Sequence, residues 1–119
     1  MKETIKEWMV QQQRVAGVFA CGVRFPDKTA LNETYSRGFP AVALDNAWRC
    51  VADAYQVLSL HRIPAVRMRW VYENALLQSA RRNDGIILAL FTSRNADELD
   101  SKRAEQMFAE FHALRGNAG

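Results

Sequence analysis

Histidines, cysteines and clustered carboxylates are the residues of this sequence that could support catalysis or metal binding. Neither His61 nor His112 lies in a motif that would make it the base for a Ser or Cys nucleophile. Cys21 and Cys50 lie in apolar segments without a CxxC spacing, which predicts two buried thiols in a reducing compartment and no metal cluster. The carboxylates within residues 97–100 suit the first turn of a helix, where they oppose the helix dipole. The sequence therefore predicts no enzyme, metal site or cofactor site.

Two glycines have the spacing of a phosphate-binding loop. Gly17 and Gly22 are separated by four residues, but Val23 stands where such a loop has its lysine. Both glycines also fall inside an apolar run that is typical of a strand. We therefore reject a phosphate-binding loop.

Length and composition predict one globular domain over residues 1–119. Of its 119 residues, 49% are hydrophobic, which is enough for one core. The net charge of +3 is mildly basic and well below the Lys/Arg loading of a dedicated nucleic-acid binder. The charged start predicts no secretion signal, and the longest apolar run, Ile86–Phe91, is too short to cross a membrane. We expect a cytoplasmic protein without membrane insertion.

Hydrophobic periodicity divides the chain into eight elements. Ile5, Trp8 and Met9 at helical spacing predict the first helix, and the repeated alternation after Pro64 predicts a strand. Asn95, with Glu98 three residues on, predicts the start of the last helix. The predicted helices cover 2–14, about 40–62 (ended by Pro64) and 95–114, with a frayed tail at 116–119; the predicted strands cover 15–23, 29–36, 66–72, 75–81 and 86–91.

This order, α-ββ-α-βββ-α, predicts an α/β (α+β) fold with one five-stranded antiparallel sheet and helices on both faces. Unbroken apolarity in the first and fifth strands indicates that both are central, neighbouring and covered on both faces. The strand order is then 2-1-5-4-3, with strands two and three at the edges.

Several short segments resemble the roadblock/dynein-light-chain family of profilin-like domains. They are Gly17-Val18 at the first strand, the turn and strand start at 27–31, the long second helix, and the Arg82-Asn83-Asp84-Gly85 turn. Lys28 departs from the family, which often has Gly there. The resemblance implies one helix on one face of the sheet, two on the other, and dimerisation. The related longin, PAS and GAF folds stay open as alternatives.

The surfaces predicted from the residues agree with that dimer. Beside the core-facing stripe of the second helix runs a second stripe of small and apolar residues, and the third strand forms an edge that lacks the polar protection of strand two. A twofold axis would pair each surface with its copy. The predicted partner-binding residues are Ala43, Cys50, Val57, Arg67, Met68, Arg69 and Trp70.

The predicted function is a homodimeric protein-interaction scaffold, for which the resemblance implies a small Ras-like GTPase or another regulatory partner. The alternative is a small-molecule sensor of PAS or profilin-like type, with Phe19, Cys21 and Trp48 lining a pocket. Arg67 and Arg69 beside Trp70 are reminiscent of RNA-binding sheets, but a strand beneath a helix cannot stack bases, so we expect no nucleic-acid partner.

Overall fold

The computed structural model describes residues 2–12, 14–37, 39–63 and 65–115. Pro64 and the predicted tail at 116–119 lie outside this part of the chain. The predicted element order is confirmed, with bounds a few residues tighter. The helices are α1 (Lys2–Gln11), α2 (Ala41–Leu60) and α3 (Ser101–Ala113); the strands are β1 (Val18–Arg24), β2 (Ala30–Thr34), β3 (Arg67–Val71), β4 (Leu76–Arg81) and β5 (Ile87–Thr92).

The strands form one antiparallel sheet in the predicted order, β2-β1-β5-β4-β3. Its centre is the β1–β5 pair, in which Cys21 lies opposite Leu90 and Val23 opposite Leu88. Every residue of β5 is buried. A strand covered on both faces has no solvated side, which explains its unbroken apolar sequence.

Helices cover both faces of the sheet and divide the core in two. On one face, α1 and α3 pack against β1 and β5 through Ile5, Met9, Met107, Phe108, Phe111, Cys21, Val23, Leu88 and Leu90. On the other face, α2 packs through Leu44, Trp48, Val51 and Tyr55 onto Ala20, Leu77, Ile87, Ala89 and Phe91. This is the arrangement that the family resemblance implied.

Gly22 allows α2 to approach the sheet closely. A Cβ at this position would lie 2.8 Å from Cζ2 of Trp48 and 2.7 Å from Oδ1 of Asn32. The Trp48 indole donates to that same Asn32 oxygen at 3.0 Å, and the Asn32 amide donates to Asp45 at 2.8 Å. The missing side chain thus makes room for the hydrogen-bonded contact between α2 and β2.

Gly17 is required for a different reason. Its φ is +80°, and a Cβ would lie 2.5 Å from the Cα of Leu99. A non-glycine residue would meet both the left-handed backbone penalty and a clash with main chain. Both glycines of the rejected phosphate-loop spacing therefore have structural roles.

The start of α3 differs from its prediction. Asp100 is the N-cap, and its carboxylate accepts from the backbone N–H of Arg103 at 3.0 Å. Asn95 instead forms an Asx turn with the N–H of Asp97, while Glu98 accepts from the hydroxyl of Ser93. Side chains of these types stabilise turns as well as helix starts. The capping-box spacing therefore identified the turn that precedes α3 and not the N-cap of the helix.

Among the residues that the structure describes, two non-glycine residues, Lys28 and Arg62, have left-handed backbone, with φ of 72° and 58°. Lys28 lies in the β1–β2 turn, where its N–H donates to the Phe25 carbonyl. Arg62 follows α2, and the N–H of Ile63 donates back to the Leu58 carbonyl at 2.8 Å, as in a Schellman motif. Glycine is the usual residue at both kinds of position because it carries no Cβ.

Replacing Gly22 with Ala should destabilise the fold by about 1–3 kcal/mol, because the new methyl group overpacks the contact with α2. Urea unfolding followed by circular dichroism measures the change. In a Trp48→Phe background the penalty should shrink, since the ring atom that Cβ meets is gone. An equal cost in both backgrounds would contradict this account of Gly22.

Replacing Lys28 with Gly should raise the free energy of unfolding by about 0.5–1 kcal/mol, because the left-handed penalty outweighs the extra unfolded-state entropy of glycine. The Lys28→Ala variant keeps a Cβ and serves as the matched control, for which we expect no gain. Thermal unfolding of the three proteins decides the point. A gain shared by both variants would mean that the lysine side chain, not the backbone, was unfavourable.

Candidate interaction surface

Strand β3 is an open edge of the sheet. Within the described part of the chain it pairs with β4 alone. The N–H of Arg81 donates to Val66 and that of Tyr72 to the Ala75 carbonyl, so even-numbered residues of β3 bond to β4. Antiparallel alternation then turns the main-chain groups of 67, 69 and 71 outward. The edge offers a row of donors and acceptors that another strand could pair with.

The two faces of β3 carry different side chains, as the alternation predicted. Met68 and Trp70 are half-buried and pack against the α2 cluster. Arg67 and Arg69 are exposed and point to the opposite face of the sheet. The structure therefore brings Met68 and Trp70 next to α2 and separates the two arginines from it.

Arg67 is held by α3. Its guanidinium donates to both carboxylate oxygens of Glu105 at 3.1 Å and lies 3.9 Å from the centre of the Phe108 ring. Hydrogen bonding to Arg67 lowers the pKa of Glu105 below its usual value. The side chain of Arg67 therefore ties β3 to α3, while its main chain contributes to the open edge. Arg69 makes no hydrogen bond or ion pair with another described side chain.

One flank of α2 presents the second stripe predicted from the sequence. Val57 is 51% exposed, Ala43 is half-buried, and Cys50 is exposed. The expectation of two buried thiols is wrong for Cys50, although Cys21 is fully buried. The apolar character of the segment did not reveal which flank of the helix meets the sheet. Cys50 and Val57 therefore lie at the surface, and Ala43 lies at the margin of the buried side.

This flank of α2 faces the β3 side of the molecule. The opposite side of the helix contacts β2, since Asp45 and Trp48 bond to Asn32. Tyr55, on the buried side, hydrogen-bonds Ser79 of β4 at 2.8 Å. At about 100° per residue, Cys50 and its stripe then lie on the side of α2 away from β2. The stripe and the open edge are adjacent surfaces.

Further exposed apolar residues around this region were not among the predicted partner-binding residues. They lie at the ends of α2, in the loop that follows it and at the ends of β3: Val42 59%, Leu60 74%, Ile63 57%, Val66 63%, Val71 59% and Tyr72 43%. The exposure of Val42 and Leu60 could have been predicted, because both residues fall outside the two predicted apolar stripes of α2. Val71 shares the exposed face of β3 with the two arginines, as the alternation predicted. Ile63, Val66 and Tyr72 lie in the loop after α2 or just beyond the ends of β3.

The other edge of the sheet is protected. β2 carries mainly polar side chains and contacts both α1 and α2. Lys2 of α1 bonds Asp27 and Thr29 in the turn before β2. A polar strand flanked by such contacts is a poorer template for another chain than β3. The asymmetry between the two edges is therefore present in the structure.

The pocket predicted for the small-molecule sensor alternative does not form. Cys21 packs on the α1/α3 face of the sheet, whereas Phe19 and Trp48 pack on the α2 face. The sheet thus separates Cys21 from the two side chains that were predicted to line the same cavity. In the described residues no group of three His, Cys, Asp or Glu side chains could hold a metal ion, and no helix is long and apolar enough to span a membrane.

Comparison with solved structures identifies a protein with the same architecture. The chain is similar in structure to Myxococcus xanthus MglB. The match covers 95% of this chain and 94% of MglB, with a TM-score of 0.62 and 8% sequence identity. At this identity the likeness concerns the fold, and the expected roadblock-like, profilin-like fold is confirmed. No protein-family model and no curated protein sequence matches the chain.

The two cysteines should differ sharply in reactivity. Burial raises the pKa of the Cys21 thiol to about 12, so this residue has almost no thiolate at pH 8, whereas Cys50 is exposed. Ellman's reagent should therefore modify one thiol per chain in dilute native protein and two in urea. Cys50→Ser should abolish the native reaction. Rapid modification of both thiols without denaturant would contradict the burial of Cys21.

Proposed function

We propose that this chain is a non-catalytic, homodimeric protein-interaction module that scaffolds or regulates a small Ras-like GTPase in the cytoplasm. One observation carries the proposal: an unpaired β3 edge lies beside an exposed small and apolar flank of α2. A single twofold axis can cover both surfaces at once.

Edge pairing is the first component of the proposed dimer. Antiparallel pairing of β3 with its copy would satisfy the outward main-chain groups of residues 67, 69 and 71 and extend the sheet to ten strands. Met68 and Trp70 would then meet their counterparts on the α2 side. Such strand addition provides main-chain hydrogen bonds, while the alternate side chains provide selectivity.

Helix pairing is the second component. Ala43 and Cys50 are small residues at a seven-residue spacing, which permits close approach of a second helix, and Val57 continues the same line. Burial of Val57, now 51% exposed, would add apolar area removed from water. The proposed interface therefore combines main-chain pairing with apolar contact.

The GTPase part of the proposal comes from the resemblance to the roadblock family. Fold likeness to MglB across almost the whole chain supports that resemblance. On the outer side of the paired helices, Val42 and Leu60 would remain exposed as apolar contacts for the partner. The sensor alternative has no such support, because its pocket residues lie on opposite faces of the sheet.

Charges placed in the proposed interface should convert the dimer to a monomer. Val57→Asp buries a carboxylate between the helices, and Met68→Lys places an ammonium beside the edge; each should weaken the dimer roughly hundredfold, about 3 kcal/mol. Size-exclusion chromatography with light scattering at tens of micromolar measures the mass. Modification of Cys50 should also become slower as wild-type concentration rises, because the partner helix covers it.

The control is Lys6→Glu on the exposed side of α1, which should leave the dimer intact. Arg82, in the turn between β4 and β5, would not serve as a control. Its side chain is 7% exposed and donates to the Phe111 carbonyl and to Asp84, so its replacement would disturb the fold. Circular dichroism must show that each variant folds. A wild-type protein that is monomeric at tens of micromolar would overturn the proposed dimer.

A further inference from the structure

Three adjoining depressions surround the end of the sheet that carries the β1–β2 and β4–β5 turns. The first, about 330 Å³, lies between α2 and the β1–β2 turn; the second, about 320 Å³, shares Arg24 and Lys28 with it. The third, about 370 Å³, reaches α3 and shares Arg81 with the first. Shared walls make them one continuous surface. Its cations, here called the basic band, are Arg24, Lys28, Arg49, Arg81, Arg82 and Arg115.

The basic band accounts for the whole net charge of the chain. Its six cations share the depressions with three carboxylates, Asp45, Asp53 and Asp84, which leaves +3. The entire sequence, with 16 Lys and Arg and 13 Asp and Glu, is also +3. The rest of the molecule is therefore electrically balanced. A positive field concentrated in recesses attracts anionic partners to that end of the molecule.

Within the band, the cations differ in how they are held. Arg82 bonds Asp84 and the Phe111 carbonyl, and Arg24 bonds the Trp48 carbonyl at 3.2 Å. Lys28 and Arg49 are exposed and make no side-chain hydrogen bond or ion pair with another described residue. The anchored arginines shape the recess, and the two uncommitted cations are available to a ligand.

Lys28 carries a second indication of function. It has a φ of 72°, where glycine would be less strained, yet its side chain lines two of the three depressions. Strain at a residue that also lines a recess is a reason to test that residue for a role in binding. A glycine there would relieve the strain and lose the charge.

We propose that the basic band binds an acidic peptide segment of a partner protein. The recess beside α2 has an exposed apolar wall at Pro26 between its cations, which suits a segment that carries both carboxylates and apolar side chains. The neighbouring rings of Phe25, Trp48 and Tyr55 are buried, so they offer no platform for stacking bases. A flat bilayer surface would not enter the recesses. Lys28 and Arg49 lie on the β2 side of α2, away from the proposed dimer surface, so their role can be tested separately from the dimer.

Fluorescence anisotropy with a labelled twelve-residue peptide of Glu and Asp, with Leu at every fourth position, tests the proposal at about 50 mM salt. We expect binding that weakens as salt increases. The double variant Lys28→Glu/Arg49→Glu should bind roughly tenfold more weakly. Lys28→Gly should also bind more weakly although it stabilises the fold, a combination that loss of structure would not produce.

The matched control is Lys6→Glu/Lys102→Glu, which makes the same change in net charge at exposed positions of α1 and α3 and should keep binding within about twofold. The proposal is overturned if wild type does not bind the peptide or if the control weakens binding as much as the band variant. It is also overturned if a twelve-residue oligothymidylate or a phosphatidylserine vesicle binds more tightly than the peptide in a band-dependent manner. Chromatographic mass, measured in parallel, reports on the dimer separately.

Discussion

Double-sided burial of the β1–β5 pair is the constraint on which the rest of the structure depends. Both strands need apolar cover above and below, which requires α2 on one face and α1 with α3 on the other. The contact is close only because Gly22 admits Trp48, whose indole is then fixed by Asn32. Once α2 is placed by that contact, its small-residue flank is directed toward β3. The candidate interaction surface is thus a consequence of how the core is closed.

The same arrangement explains why the two sheet edges differ. Helices cover both faces, and on the β2 side Lys2 ties α1 to the turn that leads into this polar strand. On the β3 side, Arg67 reaches α3 through Glu105 and Phe108 but leaves the main chain of the strand open. A side-chain anchor stabilises the position of an edge strand without pairing it. An edge held in place and still unpaired is preorganised for strand addition, with little ordering left to do on binding.

The basic band differs from the proposed dimer surface in its charge and in the left-handed backbone of one of its residues. The dimer surface proposed here is apolar and lies along β3, whereas the basic band surrounds the turn end of the sheet. At that end Lys28 combines a left-handed backbone with a side chain that lines the recess. The two surfaces, as proposed, would hold two different kinds of partner.

Local patterns in the sequence were sufficient for the element order, the strand order and the identity of the open edge, since apolar runs and alternation report directly on burial. They failed where burial depends on which way an element is rotated or on a neighbour distant in sequence. Cys50 was expected to be buried and is exposed, because the width of an apolar arc does not show which part meets the sheet. The capping-box spacing at Asn95 predicted the start of α3, but the helix begins after Asp100. The basic band joins residues 24 to 115, and only the tertiary structure could assemble it, because charges scattered along the chain become one surface when the turns of the sheet meet at one end.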